Sequence, residues 1–467
     1  MRNNKLIYRY LSADVISAII VWVLFIVFRK AFNDISIINE IEFFVVKPKY
    51  YLTFVFFPFV AAATHYLSGF YLKTDKQNSL SITMATLFSA FLLSVVVFFF
   101  FMIDDIRVSS NYYYISLSTL FILFFVVTLF FRILVYKGIQ KDYTAGRLKH
   151  NILIIGTGKN AHRIAGDFFG ADNRNTFIGY VQVDNASGPV PKEQICGHFN
   201  QIDKIIEQNH IDEAIIALDD PDELKLFSYI NTLYRFDIGI SFTPRLYEIL
   251  TGSARITSTG IQPLVSLTDV QMPSWQIAFK RILDIALSAS MLLLLLPLFI
   301  YFALAIKANS KGPVFYKQER IGRYGKPFNI LKFRTMYVDA ENGKPMLSSP
   351  NDERITSIGR ILRKYRIDEL PQFWNILRGD MSIVGPRPER KYYINKIIEE
   401  APYYCLLYKI RPGLTSWGPI KIGYSDTVEK MIERLNYDII YIENMSLMND
   451  MRILIYTIEI LLKGKGM

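Results

Sequence analysis

Cysteine is scarce in this sequence, since Cys196 and Cys405 are the only two among its 467 residues. They stand far apart and form no CxxC pair, which excludes a disulfide framework and fits a protein of the reducing cytoplasm. The sequence also shows no internal repeats and no low-complexity tracts. We expect no cleavable signal peptide, because the first apolar run is long and has no small-residue cleavage site. Its length predicts two or three domains.

Acidic residues are outnumbered, with 42 Asp and Glu against 53 Lys and Arg and a formal net charge of +11. The composition is 51% hydrophobic and 15% aromatic, which is too apolar for one soluble enzyme. A basic surplus beside a bilayer fits an anionic lipid surface and anionic substrates. Nucleic acid would also explain the charge, but no nucleic-acid motif occurs. We therefore predict a membrane protein with membrane lipids, and no nucleic acid, among its partners.

Four long stretches carry almost no charge and come first in the chain. Each is close to the roughly 20 residues that cross a bilayer as a helix. Lysine and arginine cluster most strongly after the fourth stretch, which predicts that both ends of this region are cytoplasmic. Asp14, His65 and Arg132 lie within or near the spans, where an ionisable group is a functional candidate. For Asp14 and Arg132, which lie near the ends, we favour helix–helix pairing or snorkelling. The stretches are Leu11–Phe28, Tyr50–Leu72, Leu80–Ile103 and Tyr112–Tyr136.

Residues 151–269 lack long apolar runs and are predicted to form an α/β domain. The segment NILIIGTGKNAHRIAGDF reads as strand, glycine turn and helix, and Gly156, Gly158 and Ala161 approximate the dinucleotide fingerprint. The match is short, and Asp184 lies somewhat beyond the expected acidic position. We favour a Rossmann-like domain that serves stability, oligomerisation or regulation, with cofactor binding as the alternative. The other predicted strands are Phe177–Val183, Glu213–Leu218 and Ile238–Phe242.

A fifth apolar run, Ile282–Ile306, is flanked by basic residues on both sides. A spanning helix would place the basic C-terminal region outside, against the positive-inside rule. Pro297 removes a backbone hydrogen bond near the middle of the run and should bend the helix there. We therefore predict a helix that enters the membrane, bends and returns to the cytoplasmic face. The alternative is a kinked helix that spans.

Carboxylates are few in Arg360–Arg390, but Asp368 and Glu369 are adjacent and Asp380 follows them. Carboxylates among arginines point to a metal ion or nucleophile that meets a phosphorylated substrate, since carboxylates hold Mg²⁺ and arginines bind phosphate. Pro371 predicts a helix that begins after the pair, with a dipole that keeps both acids ionised. The alternative is a helix cap and a surface charge. The flanking cations are Arg360, Arg363, Lys364, Arg366, Arg378, Arg387 and Arg390.

The block DELPQFWNILRGDMSIVGPRPE resembles the signature of the bacterial sugar transferases that prime surface-polysaccharide synthesis, the monotopic phosphoglycosyl transferases. Further blocks agree in order: KRILDIALS, GPVFYKQERIGRYGKPFNILKFRTM, RPGLTSW and YDIIYIENMS. The resemblance covers about Trp275 to the C-terminus and implies the large form of the family. Its expected parts are a membrane α-helical N-terminal bundle (1–140), an α/β Rossmann-like middle domain (150–270) and a mixed α/β monotopic catalytic domain (275–467) with a re-entrant membrane helix at about 280–307.

The resemblance implies transfer of a sugar-1-phosphate from a UDP-sugar to undecaprenyl (polyprenyl) phosphate, with release of UMP. Asp368 would be the nucleophile of a covalent phosphosugar intermediate, and Glu369 a Mg²⁺ ligand or helper. Mg²⁺ and basic groups would neutralise the charge between two anionic reactants. The implied location is the bacterial inner membrane, with the catalytic domain at the cytoplasmic face and a homodimer as an expectation.

Several basic residues in the matched blocks are predicted to bind phosphate. Lys332 and Arg334 alternate in ILKFRTM, which puts both on one face of a strand. Arg387 stands between two prolines that fix its backbone, and the resemblance links it to the polyprenyl phosphate; a rigid surface turn is the alternative. The predicted set is Lys332, Arg334, Arg363, Arg387 and Arg411, with Asp380, Trp417 and Asp438 as additional candidates.

The sequence departs from the family pattern at two places. The segment after RPGLT reads SWGPIKIGY, where the family often has GWAQVNGR, so Trp417 remains but a downstream arginine is absent. The bend carries Leu296–Pro297 where the family has a Ser-Pro pair. The transferred sugar is therefore left open.

Two other functions compete with the transferase. One is a membrane nucleotide-sugar epimerase or dehydratase, which would need a Tyr-x-x-x-Lys pair that residues 151–269 lack. The other is a non-enzymatic assembly scaffold.

Overall fold

A computed structural model describes residues 2–32, 48–74, 77–104, 110–169, 175–183, 188–219, 223–236, 238–243, 265–267, 272–338, 340, 352–423 and 427–462. The chain divides into two compact units. The first comprises Met1–Leu148 and Pro273–Lys280, and the second comprises Lys149–Met272 and Arg281–Met467.

The first unit is helical. Among the described residues, three segments are long and apolar enough to cross a membrane: Lys5–Phe28, Ser79–Phe99 and Tyr114–Thr144. The second predicted run forms a helix that contains the shorter apolar segment Thr53–Leu67. Three of the four predicted spans thus form helices long and apolar enough to cross a membrane, and a span by the second run stays a prediction. The helices are α1 (Arg2–Phe32), α2 (Pro48–Leu67), α3 (Ser79–Asp104) and α4 (Ser110–Thr144).

An ion pair lies in the interior of this bundle. The Arg132 guanidinium on α4 donates to both oxygens of Asp14 on α1, with Nε–Oδ1 at 2.7 Å and Nη2–Oδ2 at 2.8 Å. The Tyr71 hydroxyl donates to Asp14 at 2.6 Å, and Arg132 also donates to Thr86. Helix–helix pairing is therefore confirmed for Asp14 and Arg132. His65 is buried and stacks on an aromatic ring of α4, with its centroid 5.2 Å away.

The middle part of the second unit is a six-stranded sheet with the order β3-β2-β1-β4-β5-β6. All pairs are parallel except β5–β6. The central strands are runs of buried isoleucine, leucine and alanine, as expected for a parallel sheet with covered faces. The predicted parallel α/β sheet is confirmed. The elements are β1 (His150–Ile155), α5 (Lys159–Phe169), β2 (Asn175–Gln182), β3 (Ile195–His198), α6 (Ile202–Asn209), β4 (Glu213–Ile216), α7 (Glu223–Leu233), β5 (Gly239–Phe242) and β6 (Val265–Ser266).

The fifth apolar run forms two helices, α8 (Ser274–Leu294) and α9 (Leu296–Asn309), with a bend of 60° between them. Pro297 lies in the first turn of α9, where a missing N–H breaks no hydrogen bond of that helix. The same missing N–H prevents α8 from continuing through the bend. The predicted break is therefore present, although it lies just before the proline. Whether the pair returns or spans stays a prediction.

The remainder of the second unit contains short elements around a β-hairpin. The Asn375 side chain fastens helix α11 to strand β8, because it donates to Asn329 O and accepts from Leu331 N. Asp284 on α8 accepts from Ser382 Oγ on strand β9 at 2.7 Å. The elements are β7 (Phe315–Ile321), β8 (Pro327–Phe333), α10 (Ser357–Lys364), α11 (Gln372–Arg378), β9 (Ser382–Val384), α12 (Lys391–Glu400), β10 (Gly413–Thr415), α13 (Trp417–Ile422), α14 (Val428–Glu443) and α15 (Leu447–Leu462).

Candidate active site

The two adjacent acids lie on a single 3₁₀ turn, Ile367–Glu369, directly before α11. Asp368 and Glu369 are only 9% and 7% exposed, and the residue at the N-cap of α11 is Pro371, without a side-chain cap. The alternative of a helix cap and a surface charge is therefore wrong. The helix begins after Pro371, as predicted.

The turn begins with a strained backbone. Arg366 has φ 53° and ψ 25°, a left-handed conformation that costs a non-glycine residue about 1 kcal/mol. Its own side chain helps to hold this conformation, because the Arg366 guanidinium lies 3.6 Å from Glu369 Oε2. The sequence gives no signal for this strain, since arginine is not a residue that favours positive φ.

Three cations surround the carboxylate of Glu369. Lys332 Nζ on β8 lies 2.7 Å from Oε1, and Arg387 Nη2 lies 3.0 Å from the same oxygen. Arg366 faces the other oxygen. Burial alone would raise the pKa of Glu369, but the attraction of Lys332 and Arg387 outweighs it and holds the pKa well below its usual value. Glu369 is therefore an ionised, fully engaged anion.

The carboxylate of Asp368 is different, because no described residue makes a hydrogen bond to it. Burial raises the pKa of Asp368 to about 6, and the neighbouring charge of Glu369 acts in the same direction. Lys332 and Arg363 oppose this shift. The result is an acid that is ionised at neutral pH, has no hydrogen bond to weaken it as a nucleophile, and faces a positively charged environment.

The other predicted phosphate ligands have hydrogen-bond partners outside the acidic pair. Arg363 donates to Thr335 Oγ1 at 2.9 Å and is near enough to act on the pKa of Asp368. Arg334 is used elsewhere, since its guanidinium donates to the backbone carbonyls of Ser310 and Lys311 after α9. Arg411 donates to the carbonyl of Gly379, and so supports the turn after α11.

The additional candidates have structural partners in the described chain. Asp380 lies at the far end of α11 and accepts from the Asn375 amide at 3.4 Å. Trp417 Nε1 donates to Asn449 Oδ1 at 3.0 Å. Asp438 on α14 accepts from the backbone N–H of Arg387 at 3.4 Å, and burial raises the pKa of its carboxyl to about 6. Of the three, only Asp438 reaches a residue that touches the acidic pair.

The chemistry of the donor set tests the predicted magnesium ion. No group of three or more His, Cys, Asp or Glu that could hold a metal occurs among the residues the structure describes. Both oxygens of Glu369 face cations, so its predicted role as a metal ligand is not favoured here. Mg²⁺ is commonly held by one or two carboxylates together with substrate phosphates. The residues fit an ion held by Asp368 and mainly by substrate oxygens.

The glycine turn of the middle domain does not fit the pyrophosphate of a dinucleotide. The backbone N–H groups of Lys159 and Asn160, which open α5, donate to Asp219 Oδ2 at 2.9 Å and Oδ1 at 2.7 Å. These are the amides that a bound phosphate would need. A Cβ atom on Gly158 would lie 2.1 Å from Asp219 Oδ2, so a side chain at this position would displace the carboxylate. Asp184 lies outside the described residues.

Comparisons with known proteins agree with this site. The family model described as bacterial sugar transferase matches residues 275–464, which contain the acidic pair and its cations. A UDP-glucose:undecaprenyl-phosphate glucose-1-phosphate transferase of Klebsiella pneumoniae is 33% identical over 280 residues, covering 60% of each chain. A UDP-N-acetylgalactosamine-undecaprenyl-phosphate N-acetylgalactosaminephosphotransferase of Aeromonas hydrophila is 37% identical over 230 residues, 49% of this chain and 53% of that one.

These first relatives are matched over little more than half of their own length. A shorter relative is matched more completely. A UDP-glucose:undecaprenyl-phosphate glucose-1-phosphate transferase of Caulobacter vibrioides is 43% identical over 185 residues, which are 39% of this chain and 69% of that protein. The match of the family model falls on the C-terminal part in which the buried acids lie. The chain belongs to the bacterial sugar transferase family.

Proposed function

We propose that the protein transfers a sugar-1-phosphate from a UDP-sugar to undecaprenyl phosphate, giving a polyprenyl-diphosphate sugar and UMP. The observation that carries this proposal is the asymmetry of the acidic pair. Glu369 is held by three cations, whereas Asp368 has no hydrogen bond from any described residue and a pKa raised to about 6. Such an acid, surrounded by positive charge, suits nucleophilic attack on an anionic phosphorus.

The transfer would take place in two displacements. A carboxylate oxygen of Asp368 attacks the phosphorus that bears the sugar, the bond from that phosphorus to the bridging oxygen breaks, and UMP leaves with the bond electrons. An oxygen of undecaprenyl phosphate then attacks the aspartyl phosphosugar at phosphorus, and the Asp368 carboxylate is released. Each displacement conserves charge and requires no proton on Asp368.

Cations around the pair have distinct roles in this scheme. Lys332 and Arg387 both contact Glu369, which holds their charged ends beside Asp368. There they can bind phosphate oxygens and reduce the repulsion between the two anionic reactants. Mg²⁺, when bound through Asp368 and substrate oxygens, would supply further charge neutralisation at the pyrophosphate. Arg363 also lowers the pKa of Asp368, and its charge can act in the same way.

The proposed setting is the cytoplasmic face of the bacterial inner membrane. The three apolar helices would span, and the bent pair α8–α9 would enter the bilayer and return, so that the acids meet the lipid phosphate at the surface. Exposed apolar residues on this pair, among them Leu293, Leu294 and Leu304, support its contact with lipid. We also propose that the middle domain is Rossmann-like in descent. A homodimer stays a prediction.

The experiment is a donor panel. Purified full-length protein in nanodiscs receives undecaprenyl phosphate, MgCl₂ and one of UDP-glucose, UDP-galactose, UDP-N-acetylglucosamine or UDP-N-acetylgalactosamine. We expect UMP release with one donor and a lipid product whose mass equals the acceptor plus one sugar phosphate. Release of UDP instead of UMP, or no release with any donor, would contradict the proposal and favour an assembly scaffold.

A further inference from the structure

Several hydrogen bonds from distant parts of the chain hold the backbone of the loop that presents Arg387. Gly413 N–H donates to Pro386 O at 2.8 Å, and the Arg387 N–H donates to Asp438. Arg320 Nη1 on β7 donates to Pro388 O at 3.1 Å. The two prolines have no N–H to satisfy. Strand β7, helix α14 and the start of β10 therefore converge on this loop. All three lie in the part of the second unit after Arg281, which we call the catalytic unit.

Glu389, the next residue, makes the strongest of these connections. The residue is 5% exposed, and its carboxylate accepts from Arg320 Nη1 at 2.9 Å and from Arg434 Nη2 on α14. Its carbonyl accepts from Ile321 N–H at 3.0 Å. Burial alone would raise the pKa of Glu389, but Arg434 and Arg320 lower it below its usual value. Glu389 is thus an ionised, buried anchor between two guanidinium groups.

We propose that Glu389 is a positioning residue: it fixes the preceding loop so that the Arg387 guanidinium points to Glu369 and is available to the phosphate of the lipid acceptor. Neither Glu389 nor Arg434 was predicted from the sequence to take part in the site. This inference rests on the proposed function and on the resemblance, which links Arg387 to the polyprenyl phosphate.

Two substitutions separate geometry from charge. Glu389→Asp keeps the negative charge but shortens the side chain by one methylene, so it cannot reach Arg320 and Arg434 together. Glu389→Gln keeps the length but removes the charge and one acceptor oxygen, so that Arg320 or Arg434 loses its partner. If position is what matters, Glu389→Asp should weaken acceptor binding even though the electrostatic potential of the site is kept. Glu400→Asp, on the exposed end of α12, is the matched control.

The test uses full-length protein and isothermal titration with two probes, farnesyl phosphate for the acceptor and UDP for the donor side. We expect Glu389→Asp to raise the Kd for farnesyl phosphate about tenfold and the Kd for UDP less than about twofold. Glu389→Gln should weaken farnesyl phosphate binding at least as much as Glu389→Asp does, and Glu400→Asp should have no effect. A second variant tests the same contact in case Glu389→Asp does not fold. Arg434→Lys keeps the charge and loses the planar fork, and it should likewise weaken farnesyl phosphate binding more than UDP binding.

Three outcomes would overturn the inference. Farnesyl phosphate could bind Glu389→Asp as tightly as wild type, or both probes could weaken equally together with a lower Tm, which is what a merely structural role would give. A wild type that does not bind farnesyl phosphate would remove the acceptor role of Arg387 as well. By contrast, a wild type that binds farnesyl phosphate but releases no UMP from any donor would refute the proposed transfer alone, and the two Kd values would still decide on Glu389.

Discussion

Two buried charge clusters of this protein invite comparison, one in the helical bundle and one in the catalytic unit. In the bundle, Asp14 accepts from Arg132 at both oxygens and from Tyr71 at one. In the catalytic unit, Glu369 is engaged in a similar way, but Asp368 beside it has no hydrogen bond from any described residue. We call the first cluster closed, because both oxygens of its carboxylate accept hydrogen bonds. We call Asp368 an open acid, because its carboxylate accepts none from the described residues.

The difference separates a structural use of buried charge from a chemical one. A closed pair has matched every charge and every hydrogen-bonding group, so that it can specify how helices pack but has nothing to offer a substrate. An open acid is costly to bury, and this cost appears as the raised pKa of Asp368. The surplus positive charge around it can be balanced by an anionic substrate. The predictions below test this contrast, beginning with the largest expected effect.

Removing the open acid should abolish chemistry without harming the fold. Asp368→Asn should lower the rate of UMP release at least about 10³-fold, because no other described side chain stands in its place. The free energy of unfolding of this variant at pH 7 should rise by on the order of 2 kcal/mol, since the fold favours the protonated form of Asp368. Intact-mass spectrometry after addition of UDP-sugar without acceptor should show a phosphosugar adduct on wild type and none on the variant.

The matched control is Glu399→Gln, an exposed acid on α12, which should keep near wild-type activity. Full activity of Asp368→Asn, or an adduct that persists in it, would show that Asp368 is not the nucleophile. A variant that is inactive and also unfolds at a lower temperature would mean that Asp368, like Asp14, belongs to a closed structural cluster.

Breaking the closed pair should unfold the bundle rather than affect chemistry directly. Asp14→Asn leaves the buried Arg132 without its counter-ion and should destabilise the protein by about 3–5 kcal/mol. The double variant Asp14→Leu with Arg132→Met removes both charges and should recover most of this loss. Thermal unfolding in one detergent measures both. Equal destabilisation by the single and double variants would mean that the ion pair has no coupling of its own.

The sequence predicted the architecture better than the site. Apolar run length identified the helices, and the strands of the middle sheet followed from short isoleucine-rich segments, because both signals are local. The acids and Arg387 were found through a linear motif. Glu389 ends that motif, but local patterns could not show that it meets Arg434 across 45 residues, nor reveal the strained backbone of Arg366. Nor could they show that Arg334 and Arg411 are used by backbone carbonyls, because such partners are set by tertiary packing.

The rate of adduct formation on Asp368 should depend on pH in a predictable direction. Because the pKa of Asp368 is raised to about 6 and the ionised form attacks, adduct formation should fall about tenfold per pH unit below that value and level off above it. Glu369→Gln removes a charge that raises this pKa, so the acidic limb should move to lower pH while the maximal rate falls. Single-turnover rates between pH 5 and 8 give the comparison. A limb that moves upward, or does not move, would contradict this coupling.

The smallest expected effect concerns a third acid, Asp219, which is closed by backbone amides rather than by a cation. Asp219→Ala removes the acceptor for the Lys159 and Asn160 N–H groups at the start of α5 and should cost about 1 kcal/mol of stability, the usual value of a helix cap. The exposed Glu207→Ala on α6 should cost less than about 0.5 kcal/mol. Because Asp219 already fills the position of a phosphate, NAD⁺ at millimolar concentration should leave the Tm of wild type unchanged. A rise in Tm with NAD⁺ would show that a ligand displaces this carboxylate. The glycine turn of the middle domain would then be a ligand site, like the cluster around Asp368, and not a closed structural contact, like the Asp14–Arg132 pair.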